Sequence, residues 1–387
     1  MPRLPRTVVV LGLASLLTDL SSEMIYPLLP AYLAVALGAG VIGLGAMEGA
    51  AEATASLLKI ASGAVADRAA RRKPFVVAGY SISGLARPLI GLARSWPSVI
   101  VLRLIDRVGK GIRTAPRDAL IADVTEAGAR GRAFGLHRAM DNGGAVLGPA
   151  VAALLLWLGF EVRQVFLSAA VPALIVVAVL LAGIRERGRG SSPASVDVPT
   201  PRSTLGVPFR RLLVVVVVFT LGNSSDMFIL LRLGDVGLGP TGVTLAWAAH
   251  NLVKTLAVYL GGPVADRVDR KKLLLAGWLF YALTYAALAI VSAPSAVVAL
   301  LIGYAIYFGF VEATERALVA DLAPSALRGS AYGYFHGAVG LAALPASALF
   351  AIAWRSVGPE LAFGIGALLS LVAAAGLAFW VPAPAER

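Results

Sequence analysis

A chain of 387 residues with 58% apolar residues, 14% charged residues and a mean hydropathy of +0.81 excludes an ordinary water-soluble globule and requires solvation largely by lipid. The absence of cysteine excludes disulfides, thiolate metal sites and cysteine nucleophiles. A net charge of +12 does not indicate nucleic acid as partner, because most of the surplus lies in short loops between apolar runs.

A hydrocarbon layer of roughly 30 Å needs about 20 apolar residues per spanning helix. Such runs lie near 7–34, 41–64, 74–93, 97–122, 133–157, 164–184, 211–234, 242–264, 273–292, 295–320, 331–354 and 361–381. They predict an all-α membrane protein of twelve transmembrane helices in two six-helix bundles. The first run continues from Thr7 through Pro30 with no small-residue cleavage site, so it reads as a span. Arg3 and Arg6 precede it; Arg68, Arg71, Arg72 and Lys73 follow the second run, Arg130 and Arg132 the fourth, Arg267 to Lys272 the eighth and Arg328 the tenth. These loops fall on one side, and the opposite ones, such as Ala36 to Gly40, carry almost no cations. Both termini are therefore expected on the cytoplasmic side. Glu186 to Val207, rich in Ser, Pro, Gly and Arg, has no apolar period and reads as a linker. The expected organisation is an N-terminal bundle over 1–185, a cytoplasmic linker over 186–207 and a C-terminal bundle over 208–387.

The halves repeat one another. Gly63-Ala-Val-Ala-Asp-Arg-Ala-Ala-Arg-Arg-Lys73 is answered by Gly262-Pro-Val-Ala-Asp-Arg-Val-Asp-Arg-Lys-Lys272, and Arg117-Asp-Ala-Leu-Ile-Ala-Asp123 by Arg316-Ala-Leu-Val-Ala-Asp321. Asp67 and Asp266 stand 199 residues apart, Asp123 and Asp321 198. Such duplication builds a site between halves that can rock against each other. The shared turn, G-x-x-x-D-R-x-x-R-[RK]-K, resembles the signature loop of the major facilitator superfamily. Twelve spans, two halves and a central linker carry the resemblance along nearly the whole chain. It implies a secondary transporter of a bacterial cytoplasmic membrane. Gly63 would allow close helix approach, and Asp67 and Asp266 would cap a helix or pair with basic neighbours as a latch. The expected cytoplasmic gate comprises Gly63, Asp67, Arg68, Arg71, Asp123, Asp266, Arg267, Arg270 and Asp321; the plain alternative is a positive-inside loop.

In the fourth run, Arg107, Lys110 and Gly111 look like the family's fourth-helix pattern, with Lys110 in place of the usual glutamine. Arg103, Arg107, Lys110, Arg113 and Arg117 recur every three or four residues, which draws a basic stripe along one helix face. Unpaired charge at membrane depth costs several kcal/mol, so the stripe must face carboxylates or a wet cavity. One account pairs it with Asp106, Glu48, Glu52 and Asp141 while Arg103 and Arg117 snorkel outward; the other turns Arg107, Lys110 or Arg113 toward an anionic or zwitterionic substrate. In the fifth run Gly144-Ala-Val-Leu-Gly-Pro149 resembles the G-x-x-x-G-P element of the antiporter branch, although the paired glycines that follow it there are absent, and it also serves as generic packing.

The first run contains Thr18-Asp-Leu-Ser-Ser-Glu-Met-Ile-Tyr-Pro-Leu-Leu-Pro30, whose P-x-x-P ending looks like that of twelve-span drug:proton antiporters. Asp19 and Glu23 lie one turn apart, and Asp226 holds in the second half the place of Glu23. An acid in a low-dielectric cavity gains proton affinity, as a proton-coupled carrier requires. The alternative is permanent neutralisation of these acids by Arg138, Lys59 or Arg87. Proton coupling is expected of Asp19, Glu23, Glu52 and Asp226, and substrate binding of Tyr26, Arg107, Lys110, Arg113, Asp141 and Trp247. His137, His250 and His336 show no metal spacing and are expected to pack or relay protons. Trp247, Phe228, Tyr332, Tyr334 and Phe335 would make an aromatic wall in the second half.

The expectation is a monomeric, proton-coupled secondary transporter that exports a small amphiphilic or anionic compound by alternating access, with substrate, protons and the lipid bilayer as partners. An importer or facilitator of an organic anion is the rival. A membrane-embedded sensor or enzyme has less support, since no H-E-x-x-H, complete P-loop, metal site or cofactor motif is visible.

Overall fold

The computed structural model describes residues 4–68, 71–126, 129–184, 205–323 and 328–382; at 60, 63–68, 130–131, 262–263, 265–267, 313 and 328–330 it describes the backbone alone. Twelve helical passages fill these residues, and no strand occurs among them. The first six are α1 (Arg6–Ala36), α2 (Gly40–Arg68), α3 (Lys73–Leu92), α4 (Trp96–Val124), α5 (Arg130–Trp157) and α6 (Val162–Gly183). The second six are α7 (Val207–Asp235), α8 (Pro240–Arg267), α9 (Arg270–Ile290), α10 (Pro294–Leu322), α11 (Arg328–Ser356) and α12 (Pro359–Phe379). Among the described residues nine passages are long and apolar enough to cross a bilayer on composition alone. The other three, α2, α4 and α8, carry Glu48 and Glu52, the basic stripe, and Lys254.

Several passages are interrupted. Pro27 and Pro30 each remove a helical N–H in α1, which tightens to a 3₁₀ turn at Tyr26–Leu28 and widens to a π turn at Tyr32–Ala36. In α7 the helix stops at Gly222 and resumes at Met227. Asn223, Ser224, Ser225 and Asp226 fill that gap, and their side chains compete with the backbone for hydrogen bonds. The two halves thus break their first helix at matching places by different chemistry.

The chain forms two compact units. One comprises Met1–Ala39, Thr54–Val196 and Gly239–Ala248; the other comprises Gly40–Ala53, Asp197–Leu238 and Ala249–Arg387. In the first, α1 packs along α5 and α6, and α3 along α4. In the second, α7 packs along α11 and α12, and α9 along α10. The pairings repeat, as duplication requires. The first unit has an aliphatic core that includes Leu11, Val76, Leu120 and Leu180 from α1, α3, α4 and α6. The second has an aromatic one. Phe219 stacks on Trp278 with centroids 4.5 Å apart, Tyr281 on Tyr285 at 4.1 Å, and Tyr304 on Tyr307 at 5.6 Å.

Candidate functional site

In the first unit, α1 and α5 are brought into backbone contact by the two glycines of the Gly144-Ala-Val-Leu-Gly-Pro149 element. A Cβ on Gly144 would overlap the Leu16 carbonyl oxygen and lie 3.0 Å from the Asp19 Cβ; one on Gly148 would lie 2.7 Å from the Leu20 oxygen and 2.8 Å from the Glu23 Cβ. The element therefore seats both carboxylates of α1 against α5. Asp19 lies against Asp141 of α5, which also accepts from Ser15 and pairs with Arg138 at 3.4 Å. Lys110 is within electrostatic reach of Asp19.

One turn along α1, the Trp247 indole N–H donates to Glu23 Oε2 at 2.7 Å. Tyr26 stacks on the same indole at 5.4 Å, and the Arg103 guanidinium sits 5.6 Å from the Tyr26 ring centroid. Trp247 belongs to this first unit, so three of the expected residues, Glu23, Tyr26 and Trp247, come together there. Arg103 joins them. It does not snorkel outward as the sequence suggested, being only 4% exposed, because Asp106 offers a counter-ion within the same helix.

Asp106, fully buried, is the hub of the basic stripe. It accepts from Arg87 Nε of α3 at 2.8 Å and pairs with Arg107 at 3.3 Å and Arg103 at 3.5 Å. Arg87 also donates to the Thr18 carbonyl of α1 at 2.9 Å, so this cation links α1, α3 and α4. Arg113 is different. It is buried, donates to Ser83 at 2.7 Å and lies 4.5 Å from the Tyr80 ring, with no carboxylate in ion-pair range among the described residues. It therefore packs on α3.

In the second unit the gap in α7 is bridged by tyrosines. Tyr281 donates to the Gly222 carbonyl at 3.3 Å and to Asn223 Oδ1 at 3.2 Å, Tyr285 meets Ser224 Oγ at 3.1 Å, and Tyr304 donates to Asp226 at 3.1 Å. Ser225 donates to Glu48 of α2 at 2.9 Å, and Lys254 lies 3.7 Å from the Phe308 ring centroid. Irregular backbone at membrane depth persists only where such partners exist. These tyrosines were not singled out from the sequence, since they come from two helices at spacings shared with ordinary core residues. Of the aromatic residues expected to form a wall, Trp247 belongs to the first unit, Phe228 is buried on Phe350, and Tyr334 is 57% exposed. Glu52 is exposed on α2. His250 meets the Leu301 carbonyl at 2.8 Å, His137 is buried, and His336 is exposed. No group of three or more metal-ligating side chains occurs among the described residues.

At the cation-rich ends, Arg72 pairs with Asp123 and Arg270 pairs with Asp321 at 2.6 Å, each across 51 residues. Lys73 donates to the Leu181 and Ile184 carbonyls at 3.1 and 2.7 Å, and Lys271 to those of Ala378 and Val381 at 2.9 and 2.6 Å. Each lysine thereby satisfies open carbonyls where the last helix of its half ends. The motif alignment matched Arg71 to Arg270, but the contacts match Arg72 to Arg270. The offset drops from 199 to 198 before the third helix of each half begins. The side chains of Gly63, Asp67, Arg68, Asp266 and Arg267 lie outside the described residues.

The sequence profile of the Major Facilitator Superfamily matches residues 11–234 and 212–387. The chain belongs to the Major Facilitator Superfamily. An uncharacterised MFS-type transporter of Methanocaldococcus jannaschii is 31% identical over 385 residues, covering 97% of this chain and 95% of that one. The multidrug resistance protein MdtH of Photorhabdus laumondii is 30% identical over 148 residues, covering 38% of this chain and 36% of its own. A solved D-xylose-proton symporter has the same fold, with a TM-score of 0.78 at 18% identity and 99% of each chain covered. The protein is a membrane transporter of this superfamily, whose members carry small molecules.

Proposed function

We propose that this transporter exports a small amphiphilic or anionic compound in exchange for protons, by alternating access. The observation that carries the reading is the group formed by Glu23, Tyr26, Trp247 and Arg103: an aromatic pair with a carboxylate at one end and a guanidinium at the other. Stacked rings suit a planar apolar body, Arg103 suits an acidic substituent, and Glu23 suits an exchangeable proton. The Asp19–Asp141 contact, with Lys110 nearby, adds a second place where a proton is held. Asp226, bonded by Tyr304, is the corresponding acid of the second half. The multidrug resistance relative supports export.

In this reading 1–185 and 208–387 are the moving halves, 186–207 joins them, and both termini are cytoplasmic in a bacterial cytoplasmic membrane. The Arg72–Asp123 and Arg270–Asp321 pairs form the cytoplasmic gate, together with Gly63, Asp67, Arg68, Asp266 and Arg267 of the signature loops. The unit of transport is a monomer. The test is flux of a panel of amphiphilic anions in everted vesicles under an imposed pH gradient. Accumulation driven by an acidic interior and lost in Glu23→Gln supports antiport. Uptake into vesicles oriented like the cell, unaffected by the gradient, overturns it. That second outcome would favour a facilitator of an organic anion, for which Arg113, buried with no carboxylate in ion-pair range among the described residues, gives the specific support.

A further inference from the structure

Arg71, expected in the gate, takes no part in the Arg72–Asp123 pair. Its side chain is exposed and has no ion-pair or hydrogen-bond partner among the described residues. With Lys73 it lines a cleft of about 630 Å³ between the start of α3 and the end of α6, walled on the apolar side by Val77, Ala78, Leu181 and Ile184. The Lys73 ammonium is fixed there by the Leu181 and Ile184 carbonyls. Leu181 is 58% exposed, so the apolar wall continues onto the lipid-facing surface.

We propose that this cleft seats an anionic glycerophospholipid, its phosphate at Arg71 and Lys73 and its upper acyl chain along Val77, Ala78 and Leu181. The mixed lining selects that occupant. A soluble anion gains nothing from the apolar wall, and a zwitterionic headgroup brings its own cation toward two others. Cations at a membrane surface each favour anionic lipid by roughly fivefold. The second half provides an internal contrast. By the 198-residue offset of the observed contacts, the position of Arg71 is taken by Asp269, which accepts from the Lys271 and Lys272 backbone N–H groups as a helix cap. A carboxylate there repels a phosphate, so the lipid site belongs to the first half alone.

The test uses the full chain in detergent, titrated with phosphatidylglycerol or phosphatidylcholine and followed by native mass spectrometry. Wild type should retain phosphatidylglycerol at least fivefold better. Arg71→Asp, which copies the second half, and Ala78→Glu on the exposed wall should both abolish the preference while thermal unfolding in phosphatidylcholine stays unchanged. Arg71→Lys should keep it. Undiminished preference in Arg71→Asp and Ala78→Glu overturns the proposal, as does displacement of the lipid by millimolar inorganic phosphate, which would mark a site for free anions.

Discussion

At the scale of single residues, Trp247 separates packing from hydrogen bonding. Trp247→Phe retains a ring to stack on Tyr26 but removes the N–H donated to Glu23. A hydrogen bond to a charged group contributes about 1.5–3 kcal/mol, so the substrate concentration for half-maximal flux should rise about tenfold or more while the unfolding midpoint holds. Kinetics in proteoliposomes check this; an unchanged value would remove the indole from the site. Asp106 has the opposite profile. Asp106→Asn leaves three guanidinia without their shared carboxylate in a fully buried position, a change of the kind that costs about 3–5 kcal/mol. Denaturation in detergent should show that loss, and Arg103→Gln in the Asp106→Asn background should recover part of it.

At the scale of elements, the α1–α5 contact makes a prediction that neighbouring glycines sort. Gly144→Ala and Gly148→Ala drive a methyl into the α1 backbone, an overpacking that costs about 1–3 kcal/mol and pushes Asp19 and Glu23 off their places. Gly143→Ala meets only a Leu16 methyl at 3.8 Å and should be neutral or slightly stabilising, because alanine favours helix. Thermal unfolding of the three variants distinguishes them. The same contact shows what the sequence made legible. Long apolar runs placed all twelve passages, since lipid leaves a chain few alternatives to helix. The glycine spacing named the packing element but not its partner, which only the fold supplies. Arg72 was hidden by a one-residue shift that no spacing rule detects. The tyrosines at the α7 gap were hidden because a buried hydroxyl and a plain core ring look alike in sequence. Arg103 was misjudged because its position near the start of α4 suggested snorkelling, whereas Asp106 three residues on holds it inside.

At the scale of the whole molecule, duplication has preserved contacts more faithfully than residues. Each half ties the start of its third helix to the end of its fourth with an arginine–aspartate pair, and to the end of its sixth with a lysine. One member of each pair is well shielded: the Arg72 side chain is 7% exposed and that of Asp321 8%. Each pair should therefore exceed the contribution of about 0–1 kcal/mol typical of exposed ion pairs. The two pairs share no residue, so losses from Asp123→Asn and Asp321→Asn should sum in the double variant to within about 0.5 kcal/mol. Denaturant titration of the wild type, both single variants and the double variant checks this. A double variant no weaker than the worse single one would mean that both pairs release in one cooperative step. If the pairs also serve as a gate, each single variant should change turnover in proteoliposomes while leaving substrate affinity in detergent within about twofold, because neither aspartate touches the Glu23 group. Equal losses in affinity and turnover would instead make them general supports of the fold.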